Sequence, residues 1–406
     1  MAGADDLIKK GLKTGIDALF GKVDEKASKA LKERAFQELV RAPNAQIRPD
    51  LFLNPQMKGD GRKFEGFFGD VTSGKSDVYK PRGLENYRPA IELGPEEAAF
   101  RVLRDLYSGN FDQHIKTSIP GFDETQNAVG TSLVKTFGGR PGTRMLDIGS
   151  SEGALIKAIA DRSGGNIQTH GIDPNLDMIR TFQSKPQVPG ATTELAAFGP
   201  RSSQGEVAWV ADDGTPVRYF NPQNPYDIAH EAMVFQFIDN QRPAQLQRVK
   251  ELMSPSGLLV SEEKLGNPKS IYDANEARKD LYKSQYYTPE QMETKRKEVL
   301  QTGGDQVEGM TDLQVTQAEM ERALANLYGN RAQFWDSGNF KGYAASDDKA
   351  VLDEFLGNLQ DLQSGYSTTL TPRRFAYGGD VGRKPNDVVA NALRIAMEMT
   401  GNKRAA

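Results

Sequence analysis

Residues 144–160 read RMLDIGSSEGALIKAIA. The first half is an apolar run closed by Asp147 and Gly149. The second half carries apolar residues at helical spacing, behind Gly153. A buried strand, a glycine turn and a helix follow one another here. Working outward, IQTHGIDPN (167–175) repeats the strand pattern and LDMIRTFQSK (176–185) the helical one. Either TTELAAF (192–198) or GEVAWVADD (205–213) supplies a third strand. PYDIAHEAMVFQF (225–237) begins as a fourth, RPAQLQRVKELMSPSG (242–257) reads as a helix ending in a turn, and GLLVSEEKL (257–265) as a fifth strand. Strands alternating with helices specify an α/β fold, a doubly wound, mostly parallel sheet with helices on both faces.

The ligand of such a sheet sits beyond the carboxyl ends of its strands. Gly149 and Gly153 fall right after the first strand, where glycine lets backbone approach a ligand and the next helix offers free N–H groups. The turn is DIGSSEG, with one glycine where a dinucleotide pattern has two, and Glu152 within it would repel phosphates. Asp173, followed by Pro174, ends the second strand 24 residues past Gly149. A carboxylate there can accept both hydroxyls of a ribose. Asp212 and Asp213 end a third-strand candidate, where an adenine amino group would be met. An acid at the turn (Asp147), the glycines with Ser150 and Ser151 between them, and then a ribose acid form the arrangement of S-adenosylmethionine sites.

Composition bounds the alternatives. The chain has 406 residues, net charge −4 and no cysteine. No disulfide framework, thiolate metal site or cysteine nucleophile is available to it. His114, His170 and His230 show no metal-ligand spacing and are read as structural or solvent histidines; no metal is expected. No apolar run is long enough to span a membrane, and the first residues lack the features of a secretory signal. Leu7, Ile8, Leu12, Ile16, Leu19, Phe20 and Val23 space an amphipathic helix within 1–42, read as docking on protein. Residues 43–92, rich in Gly, Pro, Asn and Asp, read as an extended arm that orders against a partner. LGPEEAAFRVLRDLY (93–107) resumes the helical pattern behind Pro95. Beyond 265 a charged helical stretch covers about 270–302, TQAEMERALANLYG (316–329) reads as a helix and RAQFWDSGNFKGYAAS (331–346) as a strand. From Thr371 the tail carries seven Lys and Arg against three Asp and Glu. The expected organisation is an arm over 1–95, the ligand-binding domain over 96–346, and a helix with a basic tail over 347–406.

On these residues the segment resembles the class I S-adenosylmethionine-dependent methyltransferases. More narrowly, IKTSIPGFDETQNAVG (115–130), FQFIDNQRPAQLQRVKELMSPSGLLVSEEKL (235–265), EARKDLYKSQYYTPEQMETKRKEVL (276–300) and AQFWDSGNFKGYAA (332–345) resemble the carboxy-S-adenosyl-L-methionine synthases, over about residues 110–346. That resemblance implies S-adenosylmethionine or its carboxylated form as cofactor, tRNA modification as the destination of the product, and a dimer. It places the cofactor on Phe122, Gly149 to Ser151, Asp173, Asp212 and about Glu231 or Ala232, with Arg296 holding a carboxylate. Phe122 stands where that family has a tyrosine, and its asparagine after the fourth strand is absent. Tyr282, Tyr286 and Tyr287, which could stack on RNA, are read as packing and surface residues of the insertion. The rival expectation is an interaction protein. RRFAYGGDV (373–381) resembles tails of phage-encoded virion proteins. It implies a degenerate fold carried as scaffold, binding virion or other partners through 1–95 and 371–406, in host cytoplasm or virion. The enzyme reading implies a small-molecule ligand and a cytoplasmic protein.

Overall fold

The computed structural model describes residues 67–362, apart from 75–78, 88, 90–92, 212, 223, 239, 303–305, 308–309 and 312, together with 373–374. The helix expected within 1–42, the first part of the arm and nearly all of the basic tail lie outside the described residues.

The centre is β1 (Thr143–Ile148), whose neighbours are β2 (Ile167–Asp173) on one side and β6 (Tyr226–Ala232) on the other, all parallel. Met145 and Leu146 are both fully buried and belong to different core clusters. A strand buried on both faces needs such a continuous apolar run, because successive side chains point to opposite layers. From β2 the sheet runs to β3 (Ala191–Ala197), β5 (Pro216–Tyr219) and an antiparallel edge, β4 (Val207–Val210). Both third-strand candidates are therefore strands, and TTELAAF supplies the parallel one. From β6 it runs to β7 (Met253–Lys264), then antiparallel β11 (Phe340–Ser346), β10 (Asn330–Ser337) and the short β12 (Arg373–Arg374). The order reverses at β1, which makes the β1/β6 boundary the topological switch point.

Residues 331–346 are two strands, where the sequence reading had one. Ser337 pairs with Phe340, so Gly338-Asn339 is a two-residue hairpin loop, with Gly338 at φ 74° and its N–H on Asp336 Oδ1. A glycine opening such a loop is a hairpin signal.

Helices cover both faces. In chain order before the sheet come α1 (Phe67–Ser73), α2 (Pro95–Tyr107), α3 (Asn110–Lys116) and α4 (Phe122–Phe137). Between strands lie α5 (Ala154–Arg162), α6 (Leu176–Ser184) and α7 (Arg242–Leu252). After β7 come α8 (Lys269–Lys283), α9 (Pro289–Thr302), the small hairpin β8 (Gln306–Val307) and β9 (Met310–Thr311), and α10 (Gln317–Leu327). The last described helix, α11 (Lys349–Leu362), sends Val351, Leu352, Phe355, Leu356 and Leu359 into the core that α4 and α5 share.

The arm needs a correction. The described residues of 67–89 hold α1 and a segment anchored on the body by single buried tyrosines, rather than an extended chain waiting for a partner. Val71, Tyr79 and Tyr87 are buried on the body itself, and Asn110 Nδ2 donates to the Thr72 carbonyl at 3.0 Å. These apolar residues are too widely spaced for a periodicity search to find.

Candidate functional site

A cavity of about 620 Å³ opens at the switch point, beyond the carboxyl ends of β1, β2, β3 and β6. That is the size of a small-molecule site, whose usual range is ~300–1,000 Å³. Among the described residues two non-glycines adopt left-handed backbone, Ser151 (φ 54°) and Met233 (φ 61°), and both line this cavity. Strained backbone of this kind gathers at ligand sites, where the surrounding fold holds it in place.

The glycine turn forms the floor. Gly149 N–H and Ser150 N–H both donate to the Ile172 carbonyl, at 2.8 and 3.0 Å, which hooks the turn onto β2. Gly149 has φ 69°, and a Cβ there would lie 2.4 Å from Val234 Cγ2. Only glycine supplies both the sign of φ and the space. Asp173 also lines the cavity while being 8% exposed. Its Oδ2 accepts from Ser151 N–H at 2.9 Å and its Oδ1 from Asn175 N–H at 2.8 Å. Two backbone donors thus aim the carboxylate, and each oxygen keeps a further lone pair for a ligand. Burial pushes Asp173 up to about 7, against the pull of these two N–H groups. Pro174 lines the same wall.

Several expected residues lie elsewhere. Ile148 faces the cavity, so strand alternation turns Asp147 to the opposite side of the sheet, where its Oδ1 meets His230 Nδ1 at 2.6 Å. Burial alone would lower the His230 pKa; the Asp147 carboxylate outweighs it and the net shift is upward. The Ser150 side chain is buried against β2, close to where a Gly171 Cβ would be, and Gly153 abuts the Phe182 ring. Phe122 packs in the core at the start of α4. Asp213 is a surface residue in an ion pair with Arg180 at 2.7 Å. Glu231, level with Ile148 in the register, is fully buried and hydrogen-bonded to Ser261 below the strand end, while Ala232 and Met233 beyond it line the cavity. Asp212 lies outside the described residues.

Glu152 does not repel a ligand, because it is withdrawn from the cavity. Its Oε1 accepts from Phe111 N–H at 3.0 Å and its Oε2 from Asp112 N–H at 3.1 Å, which seats α3 by its orphan donors. A Cβ on Gly109 would fall 2.4 Å from this carboxyl group. Gly109→Ala is therefore expected to cost about 1–3 kcal/mol by overpacking, read as a lowered Tm in a thermal melt. An unchanged Tm would mean that Glu152 moves aside without loss.

The remaining wall was not legible as a site. Phe68 of α1 packs on Phe111 and Phe237 with ring centroids 5.6 and 5.3 Å apart, and all three line the cavity. His114, read as structural, also lines it: Nδ1 lies 3.0 Å from the Tyr79 carbonyl and Nε2 lies 3.4 Å from Ser118 Oγ. Nδ1 also lies 3.1 Å from the Tyr287 hydroxyl, so the ring is held from two sides. Burial, then Lys295 and Lys283, push His114 well below its usual pKa. Arg296 lines the outer wall half exposed, with its guanidinium on Asp280 (2.6 Å) and Glu293 (3.2 Å). Tyr286 and Tyr287 are buried, packed in one cluster with Tyr87. No group of metal-ligating side chains occurs among the described residues, and no described helix is long and apolar enough to cross a membrane.

No family model and no curated protein matches the chain. Among solved structures it is similar to the plantazolicin methyltransferase BpumL in complex with a monoazolic desmethylPZN analogue and SAH, at 15% identity over 68% of this chain and 94% of that one, TM-score 0.37. It is similar to a SAM-dependent methyltransferase from Aquifex aeolicus, at 14% over 53% and 88%, TM-score 0.29. It is also similar to the mitomycin 7-O-methyltransferase MmcR, at 13% over 58% and 56%, TM-score 0.32.

Proposed function

We propose that this chain binds S-adenosylmethionine at the switch-point cavity and transfers its methyl group to a small acceptor held in the same cavity. The observation that carries the reading is Asp173. It is a buried carboxylate at the carboxyl end of β2, facing the cavity, aimed by two backbone N–H groups and retaining lone pairs for a vicinal diol. Gly149 leaves bare backbone beside it, and Ile172, Pro174, Ala197 and Phe198 give the apolar surface that a flat base requires. When bound, the cofactor supplies a methyl group already activated on a sulfonium. The protein's part is then to hold donor and acceptor in line and to keep water out. No dedicated nucleophile is needed, and none is assigned.

The finer reading, carboxyl chemistry directed to tRNA with Arg296 as the carboxylate clamp, is not the one we propose. Arg296 is engaged by two carboxylates of its own. Calorimetric titration with S-adenosylmethionine, beside mass spectrometry of small molecules released from the purified protein, tests the proposal. Absence of both binding heat and any sulfonium or thioether nucleoside would refute it.

The site also revises what a truncation should do. Removing residues 1–92 takes away Phe68 from the cavity wall and the Tyr79 carbonyl that holds His114. Loss of cofactor binding is expected, although the strand ends are intact. Phe68→Ala alone is expected to weaken binding about tenfold, or ~1.4 kcal/mol. Full-strength binding by the truncated chain would show that the strand ends suffice.

A further inference from the structure

The end of β7 with helices α8 and α9 brings several cationic groups to one wall of the cavity, and most are matched there. Lys264 and Lys279 meet Glu276, Lys269 meets Asp273 at 2.7 Å, and Arg296 meets Asp280. Lys283 is the exception. It is 5% exposed and lines the cavity, yet its Nζ has no hydrogen-bond or ion-pair partner among the described residues; the Tyr287 ring centroid lies 5.6 Å away. Lys295 lines the same wall, with Nζ 3.0 Å from Ser118 Oγ. An ammonium taken out of water without a counter-charge costs stability. A cavity that keeps one facing inward is built for something that arrives with negative charge.

We propose that Lys283 and Lys295, with the Ser118 hydroxyl, form a site for a compact oxyanion, a carboxylate or phosphate group carried by the acceptor molecule. Naming the bearer as the acceptor rests on the transfer reading above; the site itself does not. The electrostatics agree with the geometry. Burial first, then Lys279 and Arg296, lower Lys283 to about 7, against Asp280 and Glu276. Burial, then Lys283, Lys279 and Lys264, bring Lys295 well below its usual range, against Asp280. His114, on α3, is also kept neutral and adds no positive charge. An anion entering this wall favours the protonated lysines, so binding takes up protons near neutral pH.

The test is calorimetry of the full chain with inorganic phosphate in one arm and malonate in the other, near pH 7, in buffers of different ionisation enthalpy. At least one anion is expected to bind with a dissociation constant of ~1 mM, with net proton uptake, and more weakly as pH rises above 7. The arm that binds identifies the group. Lys283→Met should weaken that binding at least tenfold and reduce the proton uptake, whereas Lys283→Arg should retain binding; thermal melts confirm that both variants fold. Failure of both anions to bind the wild-type chain, or equal binding by Lys283→Met, overturns the proposal. S-adenosylmethionine is titrated separately. Anion binding without cofactor binding would leave this site standing and remove the transfer reading; the reverse would do the opposite.

Discussion

Asp173→Ala is expected to weaken S-adenosylmethionine binding by roughly 30- to 1,000-fold, about 2–4 kcal/mol, the range for losing one or two hydrogen bonds to a charged acceptor. The carboxylate also accepts from Ser151 and Asn175 N–H groups, so alanine leaves those two donors unmatched and loosens the turn. Asp173→Asn is the milder variant: its amide keeps one acceptor oxygen for one of these N–H groups, turns an NH2 toward the other, and loses the charge. A thermal melt checks that it folds, and it should bind at least tenfold more weakly than the wild type. The pH dependence has a defined sign. Asp173 sits at about 7 before ligand arrives, because burial disfavours its charge. Two hydroxyl donors favour the charged form, so binding selects the deprotonated carboxylate. Affinity should rise as pH increases from 6 to 8, and this rise should be absent in Asp173→Asn. Wild-type affinity in that variant would remove the observation on which the functional reading stands.

The fold was legible because its signals are local. RMLDIGS is an apolar run closed by an acid and a glycine, IQTHGID alternates buried and more exposed positions before its closing acid, and both occupy the places that their pattern implies. Asp173 could be singled out for the same reason, as the last residue of a buried parallel strand. Asp147 carries the same local signal with a different outcome. It also stands near a strand end, but one position of parity separates it from Ile148, and parity decides which face of the sheet a side chain meets. The glycine turn could be seen, whereas the fate of Glu152 could not: its partners, the Phe111 and Asp112 N–H groups, lie about forty residues earlier. The Gly338-Asn339 loop is a readable hairpin signal, masked by the apolar run on each side of it. The α8–α9 wall was unreadable for another reason. Lys283 and Lys279 lie one helical turn apart on a charged helix, and nothing in the sequence separates the lysine that is ion-paired from the one that is buried.

That distinction has a thermodynamic consequence that needs no ligand. Lys283 is at about 7 in the folded protein and near 10.5 in the unfolded chain. Between those values the unfolded state binds the extra proton, so stability rises with pH across that window. The gap corresponds to a penalty on the order of 4 kcal/mol at pH 7 and below, which fades as pH approaches 10.5. Lys283→Met replaces the ammonium by an unbranched apolar chain of similar length and removes the penalty. The variant should therefore be more stable than the wild type at pH 7, with a higher denaturation midpoint in urea, and the difference should shrink steadily toward pH 10. Lys295 is lowered by the same surroundings, so the substitution should flatten the pH dependence without abolishing it. A Lys283→Met chain less stable than wild type at pH 7, or a stability difference that does not change with pH, would mean that this ammonium is solvated or paired in the folded protein. The oxyanion site would then lose its physical basis along with the penalty.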